Sequence, residues 1–158
     1  MNAASSSRQV IQDALRRLLD RSTVGSVADP LESPRRAMAA SILGESYNPF
    51  VVFEDRRTRK FVQFAGDQAQ PLLLDFPLQS LSPDEEQRAA RFFSNLGVDR
   101  PTESQLYSYP SGEPATVSRS YQLNFVEDIE AAVSATLGLF TFVFRISEDA
   151  LELELEEE

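Results

Sequence analysis

The sequence contains no cysteine and no histidine, and Lys60 is its single lysine. Without cysteine there is no disulfide framework, no thiolate nucleophile and no cysteine-based zinc site. Without histidine the commonest general acid/base is missing, together with most transition-metal ligand sets and the Ser-His and Cys-His pairs that activate nucleophiles. Catalysis would fall to carboxylates, Lys60, tyrosine or serine and threonine, as in glycosidase or magnesium-dependent chemistry. Glycine is scarce, with six residues, and no G-x-x-x-x-G-K-[ST], G-x-G-x-x-G or G-x-S-x-G motif occurs, so phosphate-cradling loops have no support. No stretch approaches the roughly 18 apolar residues of a transmembrane helix. The N-terminus MNAASSSRQV has neither the basic nor the apolar region of a secretory signal, which leads us to expect a cytoplasmic protein.

What is present is apolar mass and negative charge. The 158 residues are 42% hydrophobic and include 11 phenylalanines, enough for one core in one domain. The net charge of −10 repels nucleic acid and anionic membranes at long range. It is unevenly distributed: residues 1–60 carry ten basic and seven acidic groups, and residues 61–158 carry five basic and eighteen acidic. Two readings follow. The Arg-rich and acidic halves pair within one fold, or the acidic half faces a basic partner.

Hydrophobic spacing divides the chain into elements. Val10, Ile11, Ala14, Leu15, Leu18 and Leu19 recur at helical intervals and predict an amphipathic helix over 7–21. Residues 22–33 read as a linker, and Ser33-Pro34 with Gly44 marks a short helix over 34–43. The runs 50–53 and 61–64, separated by EDRRTRK, predict a hairpin, which Leu72–Phe76 extends to a three-stranded meander. Ser82-Pro83-Asp84-Glu85 is a capping box opening a helix that carries Ala89, Phe92, Phe93 and Leu96 on one face and stops at Gly97. Residues 99–118 read as irregular, with at most a short strand at 106–109, and 120–125 as a further strand. Asp128 opens a second long helix, whose end, LGLFTFVF, is apolar on all sides and must be buried by the sheet or by another subunit. The Leu/Glu alternation of 151–158 fits either a solvated acidic tail or an edge strand with packed leucines.

Two charged groups invite functional readings. Asp75, Asp84, Glu85 and Glu86 are dense enough to suggest Mg²⁺, but acids in the first turn of a helix offset its dipole and no ligand spacing is present, so we expect no metal and no cofactor. Arg56, Arg57, Arg59 and Lys60, flanked by Phe53 and Phe61, match the basic–aromatic mixture of single-strand nucleic-acid binders. The aromatics are better placed as strand core and the charges as the solvated tip of a hairpin, and the overall charge opposes nucleic acid, so we expect none as a partner.

The run NPFVVFEDRRTRKFVQFAGDQAQPLLLDFPLQSLSPDEEQRAARFFSNLGV, residues 48–98, resembles the YbjN-type and TY-Chap-type domains, which share the fold of type III secretion chaperones. The later strand at 121–125 and the helix from Asp128 continue the same order, so the resemblance extends over residues 48–146. It implies an α+β fold, an antiparallel sheet with helices packed on one face. It also implies a small acidic protein, often dimeric, that holds a segment of a client protein and carries no catalytic residue. Similar proteins include an assembly chaperone of the carboxysome shell.

The expected division is an N-terminal helix and linker (1–33), a chaperone-like α+β domain (34–147) and an acidic tail (148–158). The expected function is a non-catalytic module that grips a client through the uncovered sheet face or an exposed edge. Candidate contacts are Phe50, Val52, Phe61 and Gln63 on the hairpin, and Tyr107 and Tyr109 beyond it, each of which a place in the core would explain as well. The alternative is a small-ligand or carboxylate-based enzyme domain, which would require two carboxylates converging in a concave site. A homodimer burying 137–144 is a third reading.

Overall fold

A computed structural model describes residues 3–24, 49–107 and 114–158, with side chains described for 7–23, 49–103 and 118–158. Helix α1 (Ala3–Val24) comes first, followed by strands β1 (Phe50–Asp55), β2 (Phe61–Ala65) and β3 (Leu73–Pro77). Helix α2 (Pro83–Asn95) leads into β4 (Thr102–Tyr107) and β5 (Pro114–Asn124). Helix α3 (Ile129–Gly138) runs on into a π-helical turn (Leu139–Val143), and a 3-10 turn (Glu148–Ala150) precedes β6 (Leu153–Glu157). The strands form one sheet in the order β4-β5-β3-β2-β1-β6, with every neighbouring pair antiparallel. The fold is therefore α+β, with helices on the sheet, and the β1-β2-β3 meander lies at its centre as the spacing predicts.

The sheet has one buried face. Val51 and Phe53, Val62 and Phe64, Leu74 and Phe76, and Tyr121 point into a core completed by Ile11, Leu15 and Leu18 of α1, Ala89 and Phe93 of α2, and Ala132, Val133 and Leu137 of α3. Phe93 lies flat on Tyr121, with ring centroids 4.5 Å apart, and packs on Phe76 at 5.6 Å. Every described helix contributes buried residues to this one core.

Local chemistry sets the helix ends. The Glu85 N–H donates to Ser82 Oγ and the Ser82 N–H donates to Glu85 Oε1 at 2.9 Å, so the capping box is present in both directions. Lys60 Nζ donates to the same Oε1 at 3.2 Å and sits 5.7 Å from the centre of the Phe144 ring, tying the hairpin to α2. Burial opposes ionisation of Glu85, but the Ser82 N–H and Lys60 outweigh it and hold the carboxyl below its ordinary range. Gly97 ends α2 in the left-handed region at φ 87°, and the Asp128 side chain caps α3. The apolar run after α3 relaxes into the π-helical turn, closed by the Phe144 N–H on Leu139 O, and Arg88 Nε donates to Val143 O at 2.9 Å.

Four sequence expectations change or fall outside this description. The N-terminal helix is no appendage, since Ile11, Leu15 and Leu18 are fully buried in the common core. The acidic tail is strand β6, paired with β1 from Val51↔Glu157 to Asp55↔Leu153. The segment read as irregular, 99–118, contributes β4 and the start of β5; Pro101 precedes β4 and Pro114 opens β5, positions that strands tolerate for proline. The predicted 34–43 helix lies outside the described residues.

Asp55 joins three of these pieces. Its side chain is fully buried at the end of β1; Oδ2 accepts from the Thr58 N–H at 3.0 Å and hydroxyl at 2.7 Å, and Oδ1 accepts from the Glu152 N–H at 3.0 Å. Burial alone would raise its pKa. The bonds from Glu152 and Thr58, with nearby Arg57, prevail and hold the carboxyl below its usual value. A group whose pKa is lowered on folding stabilises above the unfolded value of about 4, and that contribution disappears as pH falls through the lower folded value. Asp55→Asn should destabilise by roughly 1–3 kcal/mol at pH 7, because it replaces an acceptor of one buried donor. In urea unfolding, the variant should also lose less stability than the wild type between pH 7 and pH 3; equal losses would remove Asp55 from the acid response.

Candidate functional site: an open sheet face edged with carboxylates

Strand alternation leaves a second face. Residues that alternate with the core positions are Phe50, Val52 and Glu54 on β1, Phe61, Gln63 and Ala65 on β2, and Leu73, Asp75 and Pro77 on β3, all partly exposed. Register aligns them in rows across the sheet. Glu156, Val52, Gln63, Asp75 and Gln122 form one row, and Phe50, Ala65, Leu73 and Asn124 another. Between these rows lies a shallow depression of about 310 Å³, lined by Phe50, Val52, Gln63, Phe64, Ala65 and Asp75.

Asp75 is the one charged residue lining it. Gln63 Nε2 donates to Asp75 Oδ2 at 3.1 Å, whereas Oδ1 is shielded from solvent and has no hydrogen-bond donor. Such an orphaned acceptor is uncommon in native proteins. The other charges on this face are also acidic: Glu54 on β1, and Glu154 and Glu156 on β6. Glu54 and Glu154 pair with Arg59 and Arg56, but Glu156 has no ion pair among the described residues.

The structure thus brings Phe50, Val52 and Gln63 into one depression and places Phe61 on the same face, one strand position outward of Gln63. It does not bring Tyr107 to them. That residue ends β4, at the opposite edge of the sheet from β1 and β6, and its side chain is not among those described. Tyr109 lies outside the described residues. Sequence reasoning missed Asp75 as a member of this face, although a lone aspartate inside LLLDF at alternating phase is a readable sign of an outward position.

The basic cluster is paired within the chain, and the acidic one is divided between two elements. Arg56 pairs with Glu154 at 3.1 Å, Arg57 donates to Ala150 O at 2.8 Å, Arg59 pairs with Glu54 at 2.9 Å and Lys60 with Glu85, so each member has an acceptor in its own chain. Asp84, Glu85 and Glu86 occupy the first turn of α2, away from Asp75 on β3. Among the described residues no group of acidic side chains converges to hold a metal ion. No described helix is long and apolar enough to cross a membrane.

The apolar run 137–144 is mostly buried in its own chain, through Leu137, Leu139, Phe140 and Val143. Phe142 is the exception, 40% exposed, and with Phe92, Asn95 and Leu96 it lines a second depression of about 300 Å³ on the helical side. Compared with known proteins, the chain matches no protein-family model, no curated protein and no solved structure.

Neighbouring positions on β1 separate core from surface. Phe53→Ala should destabilise by about 3–5 kcal/mol, as expected for a fully buried ring. Val52→Thr should change stability by less than about 1 kcal/mol. Urea midpoints of the two variants test the assignment, and a large loss on Val52→Thr would return that residue to the core.

Proposed function

We propose that the protein is a non-catalytic binding module, a small acidic adaptor or assembly chaperone, that holds a segment of a client protein on the open face of its sheet. One observation carries this reading: the alternating residues Phe50, Val52, Phe61 and Leu73 form a partly exposed apolar strip on the sheet face opposite the core that the helices share. A strip of this kind suits a partner that buries it as an extended or helical segment. The role implied by the resemblance to YbjN-type and TY-Chap-type domains is the same, and a carboxysome shell protein is one client of that type.

A ligand-binding or carboxylate-enzyme role draws less from the geometry, because Asp75 enters the depression without a second carboxylate beside it. The homodimer implied by the resemblance would cover Phe92, Leu96 and Phe142 on the helical side and leave the open face for the client.

Two variants separate these surfaces. The tagged wild type should retain one dominant protein from its native lysate at near-stoichiometric amount. Val52→Lys should lose it while keeping the wild-type circular dichroism spectrum, and Phe142→Ser should keep it. A client retained equally by Val52→Lys would dismiss the open face as the site, and an empty wild-type bait after crosslinking would dismiss the adaptor reading. Light scattering of Phe142→Ser checks the dimer, with a halved mass expected.

A further inference from the structure

The reading of the open face as a docking surface leaves the chemistry of the docked segment unspecified. Resting on that reading, we infer that the segment presents an arginine or lysine among apolar residues, and that Asp75 receives its charged head.

Three observations converge on this. The first is sign. Every charged residue at the outward strand positions of β1, β2, β3 and β6 is acidic, namely Glu54, Asp75, Glu154 and Glu156, and no arginine or lysine stands among them. Glu156, directly across from Val52, has no cation of its own among the described residues, so the face offers uncompensated negative charge beside its apolar strip. A cationic partner is steered toward it and an anionic one is rejected.

The second is the carboxylate itself. Asp75 lines the depression, and its one side-chain partner among the described residues is the neutral Gln63 amide, whose Nε2 donates to Oδ2. A cationic head beside it adds a charge-assisted contact that the amide does not supply.

The third is the shape of the lining. Phe50, Val52 and Ala65 supply an apolar wall and Asp75 a single acceptor at its side. A long basic side chain fits such a surface, laying its methylene stem on the apolar wall while its head reaches the carboxylate. A neutral apolar side chain would cover the wall and leave the charge of Asp75 without a counter-charge. An acidic one would meet Asp75 with like charge.

Selection of phage-displayed random dodecapeptides on the immobilised full chain tests this without knowledge of the client. The recovered peptides should be enriched in arginine or lysine flanked by apolar residues. The synthetic form of the most enriched peptide, followed by fluorescence polarisation, should bind Asp75→Asn about tenfold more weakly than the wild type. Glu156→Gln, altered at an exposed position, should give a smaller loss and a shallower salt dependence. Phe142→Ser should bind as the wild type does. Peptides without basic residues, or equal affinity for Asp75→Asn, would overturn the inference about the segment while leaving the open face as the site, provided Val52→Lys still abolishes binding. Peptides that bind Val52→Lys as well as the wild type would overturn the docking surface itself, and the inference with it.

Discussion

Burial of a single face of the sheet is the constraint on which the other features depend. Val51, Phe53, Val62, Phe64, Leu74 and Phe76 all occupy the same phase of their strands, and the described helices close over them. A slip of one residue in β1 would exchange Val51 and Phe53 for Phe50 and Val52 and bring Glu54 inward in place of Asp55. The core therefore holds the register, and the register in turn determines which residues share the outer face. Phe50, Val52, Gln63 and Asp75 are neighbours because their alternates are buried.

Charged groups reinforce that register from its ends. Asp55 fastens the β1–β2 turn to the chain entering β6, and Lys60 fastens the start of β2 to the capping box of α2. At the other end Arg17 holds Glu157 at 2.6 Å, linking α1 to β6. The exposed pair at Arg17 contributes little to stability by itself, whereas the buried acceptors of Asp55 would be costly to leave unmet. The charge asymmetry of the chain is thus partly internal, since Arg17, Arg56, Arg59 and Lys60 all find acids in the second half. What is left over is acidic, and part of it stands on the outer face.

The two apolar depressions differ in surroundings. On the sheet, Phe50 and Val52 have Asp75 and Glu156 for neighbours. On the helical side, the Phe142 ring lies 5.9 Å from the Arg145 guanidinium, and Phe92 packs edge-on to Phe93, which places that patch directly above the core. Gly138 matters there because an added Cβ would press on the Phe92 ring, 2.7 Å from its nearest atom. The surfaces therefore differ in chemistry, one apolar with acidic neighbours, the other apolar beside Arg145.

Much of the architecture was legible in the chain itself, because local chemistry suffices for it. Period-2 runs marked β1, β2 and β3, Ser82 and Asp128 opened their helices, and Gly97 closed one, whereas the sequence left Phe50, Val52, Phe61 and Gln63 open between core and contact surface. Long-range pairing was not legible. Polar β4 carries no apolar alternation to reveal it, and its strand character depends on bonding to β5. The Leu/Glu tail suited solvent or an edge equally until β1 supplied its ladder, and α1 joins the core only because α3 and the sheet offer it an apolar surface. The same holds for the depression. Strand phase alone places Phe50 and Asp75 on outward positions, but only the antiparallel register, set by the burial of their alternates, brings residues 25 positions apart to one surface and leaves Asp75 Oδ1 without a donor.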